Sequence, residues 1–141
     1  MSKARSQKVG SGGTSGELGE RKIIELMRTR FDVMPDSAVP IGDDVSVVGI
    51  GDGRVVVLKT DMLVDKTDVP REMSLWQAAR KAVVMNVSDF AAKGVAPKAA
   101  LVSLGLPRRM KRKDIEDIAD GLNSGAREYD AYVVGGDTGE A

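Results

Sequence analysis

The sequence contains no cysteine and no histidine, and only one tryptophan, two tyrosines and two phenylalanines among its 141 residues. Without thiols or imidazoles, disulfides, a structural zinc centre of the usual kind, a thiol nucleophile and a Ser-His-Asp triad are excluded within this chain. Charge of one sign is not in excess either: 21 Lys plus Arg stand against 21 Asp plus Glu. A zero balance argues against the cationic footprint that a nucleic-acid or anionic-membrane binder normally carries. No apolar run reaches the roughly 18 residues of a membrane span, and the polar, Gly-rich start lacks the apolar stretch of a signal peptide. These absences predict a cytoplasmic protein without nucleic-acid or membrane partners, whose chemistry runs on carboxylates, hydroxyls, Lys, Arg and backbone groups.

What is present is a domain-sized chain rich in aspartate, 14 Asp against 7 Glu. The short Asp side chain is both a common hard-cation ligand and a common turn former. Met1 to Gly16 is basic and Gly/Ser-rich with almost nothing to bury, so residues 1–16 are expected to be a disordered tail. From Glu17 the apolar spacing predicts a first helix to about Arg30. Val45 to Ile50 and Val55 to Leu58, separated by Gly51, Asp52 and Gly53, read as a β-hairpin. A further extended piece at Met62 to Val64 leads to a polar loop, Asp65 to Met73. Ser74 is an N-cap candidate for a second helix that runs to about Lys93 and stops at Gly94. Lys98 to Leu106 reads as a strand, Lys113 to Tyr129 as a third helix, and Ala131 to Val134 as the last strand, with Gly135, Gly136, Asp137 and Thr138 directly after it. The order predicts an α+β fold, a mixed or antiparallel sheet with helices packed on one face.

Several acids fall at element ends. Asp43 and Asp44 precede a strand, Asp61 follows one, Asp89 sits in the second helix and Asp137 follows the last strand. Such carboxylates converging on one sheet edge repel each other unless they share a cation, and Mg²⁺ suits an all-oxygen donor set. Taken singly, each Asp is better explained by turn and cap duties, because turns are where Asp is normally found. Asp89 lies next to the apolar stripe of its helix, and Lys93, four residues on, offers a helical ion pair as its partner. Leu58-Lys59-Thr60 is not the end of a P-loop, because Lys59 ends a β-branched run and no Gly precedes it. The glycines of Gly135 to Thr138 are better placed to let backbone N–H groups approach phosphate. The basic cluster Arg108 to Lys113 reads as a solvated loop offset by the acids behind it. Trp76, Phe90 and Tyr129 read as core or interface.

Taken in order, GELGERKII, IGDDVSVV, KTDMLV, KAVVMNVSDFAAKGVAPKAALVSLGLP and EYDAYVVGGDT resemble the N-terminal domain of the thiamine-monophosphate kinases, within the aminoimidazole-ribonucleotide-synthetase-like superfamily. The resemblance covers Glu17 to Ala141. It implies ATP-dependent phosphorylation of thiamine monophosphate to thiamine diphosphate with several Mg²⁺ ions. It implies metal ligands at Asp44, Thr60, Asp61, Asp89 and Asp137, and a border of the ATP phosphates at Gly136 and Asp137. It also implies a homodimer formed through N-terminal sheets, and a second domain of the family beyond residues 17–141 that these residues do not contain. Two positions depart from the family pattern. Asp68 stands where many members carry a substrate-contacting His, and an acid there could face the cationic thiazolium. Lys59 stands where a small hydroxyl residue is common, so that one peripheral metal contact is lost or supplied by backbone. A non-catalytic dimerising or nucleotide-binding module, and a purine-pathway synthetase of the same superfamily, are the alternatives.

Overall fold

The computed structural model describes residues 14–35, 37–39 and 41–141. The expected tail therefore lies outside the described residues, except for its last three positions, which already belong to the first helix and its cap. Helix α1 spans Ser15–Arg28, and Glu17 closes its start by accepting the backbone N–H of Thr14 at 2.8 Å. Gly19 interrupts it with φ +70°, so the helix is kinked after its first turn.

Strands β1 (Ser37–Val39), β2 (Ser46–Gly51) and β3 (Arg54–Leu58) form an antiparallel sheet in that order. The β2–β3 turn is centred on Asp52 and Gly53, both with positive φ, at 53° and 71°. An Asp-Gly pair with two positive φ values matches the right-handed twist of its strands, which is why this hairpin could be read from the sequence. The segment expected to extend at Met62 to Val64 forms no strand, and the expected loop begins with a short helix, α2 (Asp65–Asp68).

Helix α3 spans Leu75–Ala92 and starts at the expected cap: Ser74 Oγ accepts the N–H of Gln77 at 3.2 Å, and the Gln77 side chain accepts the N–H of Ser74 at 2.9 Å. Gly94, with φ +70°, ends it. Then come β4 (Ala99–Leu106), α4 (Arg112–Arg127) and β5 (Tyr132–Glu140), with β4 and β5 parallel. The α+β class with packed helices stands as expected, with the strands divided between two sheets. A parallel pair needs a crossover, and α4 supplies it.

The last strand runs past its expected end. Gly135 to Thr138 are strand residues, with Asp137 opposite Ser103 of β4, rather than a loop after the strand. A register shift between Ala100 and Leu101 places the irregularity beside Val134. A Cβ on Gly136 would run into the backbone carbonyl of Val102, so glycine here first serves the close pairing of β4 and β5.

The core lies where α3 crosses α4. Ala79, Val83 and Val87 meet Ile118, Leu122 and Ala126, with Ala131 and the inner side chains of β4 closing the cluster. Small residues let the axes approach: a Cβ on Gly121 would strike the backbone of Trp76 and come within 2.9 Å of Ala79 Cβ. Arg80 of α3 adds a two-pronged bond to Glu128 at 2.6 and 2.7 Å, just past the end of α4.

Candidate metal and nucleotide site

The backbone leaves the first sheet at Leu58 and passes through Lys59, Thr60 and Asp61 without regular structure. Asp61 Oδ1 accepts the N–H of Met62 at 2.9 Å, a local bond that fixes the carboxylate beside its own chain. Lys59 turns inward, and its side chain is only 10% exposed. An ammonium so placed is costly unless paired, and Asp89 pairs it at 2.6 Å with Asp61 at 3.8 Å. The bond to Asp89, joined by the charges of Asp61 and Asp44, holds the Lys59 ammonium above its ordinary pKa against the opposing effect of burial.

Lys93 does not pair with Asp89, the i,i+4 partner the sequence offered. It reaches Asp43 at 2.8 Å, and Asp43 Oδ1 also accepts the N–H of Val45 at 3.3 Å. The bond from Lys93 is the main reason that the Asp43 carboxyl sits below its ordinary pKa, with Val45 adding to it; the same bond raises Lys93. Asp89 of α3 and Lys93, just past its end, thus hold Lys59 and Asp43 of the hairpin side in two crossed ion pairs. The acids of the GDD motif divide accordingly. Asp43 is a structural anchor, whereas Asp44 is exposed and forms no ion pair among the described residues.

Of the five expected ligands, Asp89 and Asp61 meet one cation, the Lys59 ammonium, the charge of Asp44 acts on it without an ion pair, and Thr60 is exposed. Asp137 stands apart on β5, exposed, beside Gly136. Among the described residues no three acidic side chains converge closely enough to hold a metal ion together. In kind, however, these oxygens are the donors a hard cation takes, and Asp61 and Asp89 already face one positive charge, that of Lys59. The role of Lys59 at the centre was missed in the sequence; its signal was an isolated Lys at the end of an otherwise apolar strand.

Asp68, the expected substrate contact, has local duties. Its Oδ2 accepts the N–H of Val64 at 2.7 Å, and its carbonyl accepts a bond from Lys81 of α3 at 2.6 Å. In the basic cluster, Arg112 and Lys113 pair with the acids behind them, Glu116 and Asp117, whereas Arg108 pairs with Glu140 of β5. An open groove of about 870 Å³ runs along α3 past Pro70, Met73, Trp76 and Met85, and none of the five expected metal ligands lines it.

The family model of the AIR synthase related protein N-terminal domain matches residues 42–141, from the glycine of the GDD motif through the GGDT strand. The chain belongs to this family. AIR synthase related relatives with curated names include the thiamine-monophosphate kinase of Pyrococcus horikoshii, 42% identical over 125 residues, which make up 89% of this chain and 38% of that protein. The thiamine-monophosphate kinase of Nitrosopumilus maritimus is 45% identical over 122 residues, 86% of this chain and 37% of that protein. Among solved structures, AaThiL complexed with AMPPCP and TMP superposes with a TM-score of 0.78 at 29% identity, covering 94% of this chain and 41% of that one. The chain thus spans less than half the length of the relatives it matches.

Proposed function

We propose that this chain is the metal- and ATP-binding domain of a thiamine-monophosphate kinase, which moves the γ-phosphoryl group of ATP onto thiamine monophosphate to give thiamine diphosphate and ADP. The observation that carries this reading is the meeting of Asp89 and Asp61 on a single cation, Lys59, between the hairpin and α3. The similarity to AaThiL complexed with AMPPCP and TMP supports the substrate pair. The curated names of the relatives favour a kinase over a purine-pathway synthetase.

The reaction asks little acid–base chemistry of the protein. A phosphate oxygen as acceptor is already anionic, so no general base is needed, and the lack of His costs nothing at this step. The difficulty lies in bringing two polyanions into line. In this reading Asp44, Thr60, Asp61, Asp89 and Asp137 hold Mg²⁺, which when bound neutralises and orients the phosphates. The backbone at Gly136 and Asp137 borders those of ATP. Asp43, Lys93 and Lys59 keep the carboxylate-bearing segments in place. Asp68 sets the position of α2 and so acts on the substrate side through the segment it caps rather than as a copy of the missing His.

The sheets of this domain are left with apolar faces in the open. Leu101 of β4 is 77% exposed, Val134 of β5 64%, and Val55 and Leu58 of β3 about half. Exposed apolar area of this extent marks an interaction surface, and a second copy of the chain is its proposed occupant. The second reading is a domain that binds Mg²⁺–ATP without turning it over. Incubation with ATP, Mg²⁺ and thiamine monophosphate decides between them: formation of thiamine diphosphate supports the kinase in this chain, and Mg²⁺–ATP binding without product supports the binding module.

A further inference from the structure

Two apolar features on opposite sides of the sequence are left uncovered among the described residues. On α1, Met27 follows Ile23 and Ile24 by four and three residues, so the three share one helix face, with Ile24 37% and Met27 49% exposed. No residue of α1 is buried. The second feature is the groove of about 870 Å³ along α3, walled by Pro70, Met73, Trp76, Val84 and Met85. It lies on the part of α3 that does not pack on α4, since Ala79, Val83 and Val87 do that.

Charge and spacing match the two. Glu20 stands one turn before Ile23 and Ile24, and Arg28 one turn after Ile24, so the stripe is acidic at one end and basic at the other. The groove carries Glu72 just before the cap Ser74 and Lys81 two turns into α3. None of these four side chains forms an ion pair among the described residues, and Lys81 donates to the carbonyl of Asp68. Glu20 and Arg28 are about 12 Å apart along their helix, and Lys81 lies about 10.5 Å beyond Ser74. An antiparallel α1 thus sets Glu20 against Lys81 and Arg28 against Glu72 while its apolar face enters the groove.

The chain's own α1 is turned the wrong way for this. Its Arg28 lies beside Gly42, where a Cβ would stand 3.7 Å from Arg28 Nη1, and the adjacent Asp43 is held by Lys93 just past the C-terminal end of α3. Glu72 is at the other end of α3, a helix about 27 Å long.

We infer that α1 docks antiparallel into the α3 groove of a second copy of this chain, with Glu20 on Lys81 and Arg28 on Glu72. This contact is independent of the kinase reading and separate from the exposed strand faces.

The absence of cysteine makes single thiols usable as reporters. Arg21→Cys, beside the α1 stripe, mixed with Ser88→Cys, in the groove wall, is expected to form the mixed covalent dimer with a flexible bis-maleimide at least about tenfold faster than Arg21→Cys mixed with Asp120→Cys on α4. Equal rates overturn the inference. So do cross-links that form only within a chain carrying both Arg21→Cys and Ser88→Cys, which seat its own α1 in the groove. In sedimentation, Met27→Asp is expected to weaken self-association at least about tenfold, because it brings a charge into an apolar groove. Glu20→Lys is expected to weaken it as well, and adding Lys81→Glu to restore it. A double variant no better than Glu20→Lys overturns the pairing. Self-association lost with Val134→Lys but kept with Met27→Asp belongs to the strand faces and overturns the helix exchange.

Discussion

Lys59, just past the end of β3, and Asp89, near the end of α3, meet at 2.6 Å, and this contact joins the three-stranded sheet to the helical half of the domain. One turn further on, just past the end of α3, Lys93 meets Asp43 in the reverse sense. The apolar core lies between α3, α4 and β4, and these two ion pairs tie the hairpin side to α3.

The pH response of that joint follows from the directions of its shifts. Asp43 titrates below 3.8 in the folded chain, so its contribution is complete above about pH 4 and is lost as pH falls through the folded value. Lys93 titrates above 10.5, so its contribution is complete below that value and is lost as pH rises through the folded one. The difference in melting temperature between the chain and Lys93→Met is therefore expected to be flat from about pH 5 to 9 and to shrink outside it. A difference that changes within that window would contradict the assigned pairing.

Gly121→Ala tests the helix crossing. Alanine improves helix propensity by about 1 kcal/mol, but its methyl group has no room against the backbone of Trp76, an overpacking that costs up to about 3 kcal/mol. Urea unfolding is expected to show a net loss of about 2 kcal/mol. Gly16→Ala, which meets nothing within 4 Å, provides the control and should be neutral or mildly stabilising. Equal effects at both sites would remove the argument for close approach.

The exposed apolar strands make a prediction about assembly. A charge at Val134 or Leu101, as in Val134→Lys or Leu101→Asp, is expected to shift sedimentation toward the monomer while leaving helical circular dichroism unchanged. A parent chain that stays monomeric at high concentration would show that a second copy does not cover this face.

Much of the fold was legible because local chemistry agreed with tertiary packing. Asp52-Gly53 announced its turn, Ser74 and Gly94 bounded α3, and Ile118, Leu122 and Ala126, at helical spacing, lie on the buried face of α4. The last strand was misjudged at Gly135 because glycines usually end strands. Here Gly136 is required by the backbone of β4, a neighbour that no local pattern reveals. The site acids were legible through their motifs, yet their partners were not. Asp89 and Lys93 satisfy the helical ion-pair rule, but residues distant in sequence compete for both and win. The sheet division was hidden for the same reason, since strand partners are chosen by the whole chain.

The central claim is that Asp61, Asp89 and Asp44 form a carboxylate site for metal-bound nucleotide. Isothermal titration of the chain with ATP in the presence and absence of Mg²⁺, repeated on Asp61→Asn, tests it most directly. Mg²⁺-dependent ATP binding is expected to weaken at least about tenfold in Asp61→Asn while its thermal unfolding stays close to that of the parent, a loss of about 1.4 kcal/mol of binding free energy or more. ATP binding that ignores Mg²⁺, or that is unchanged by Asp61→Asn, would contradict it.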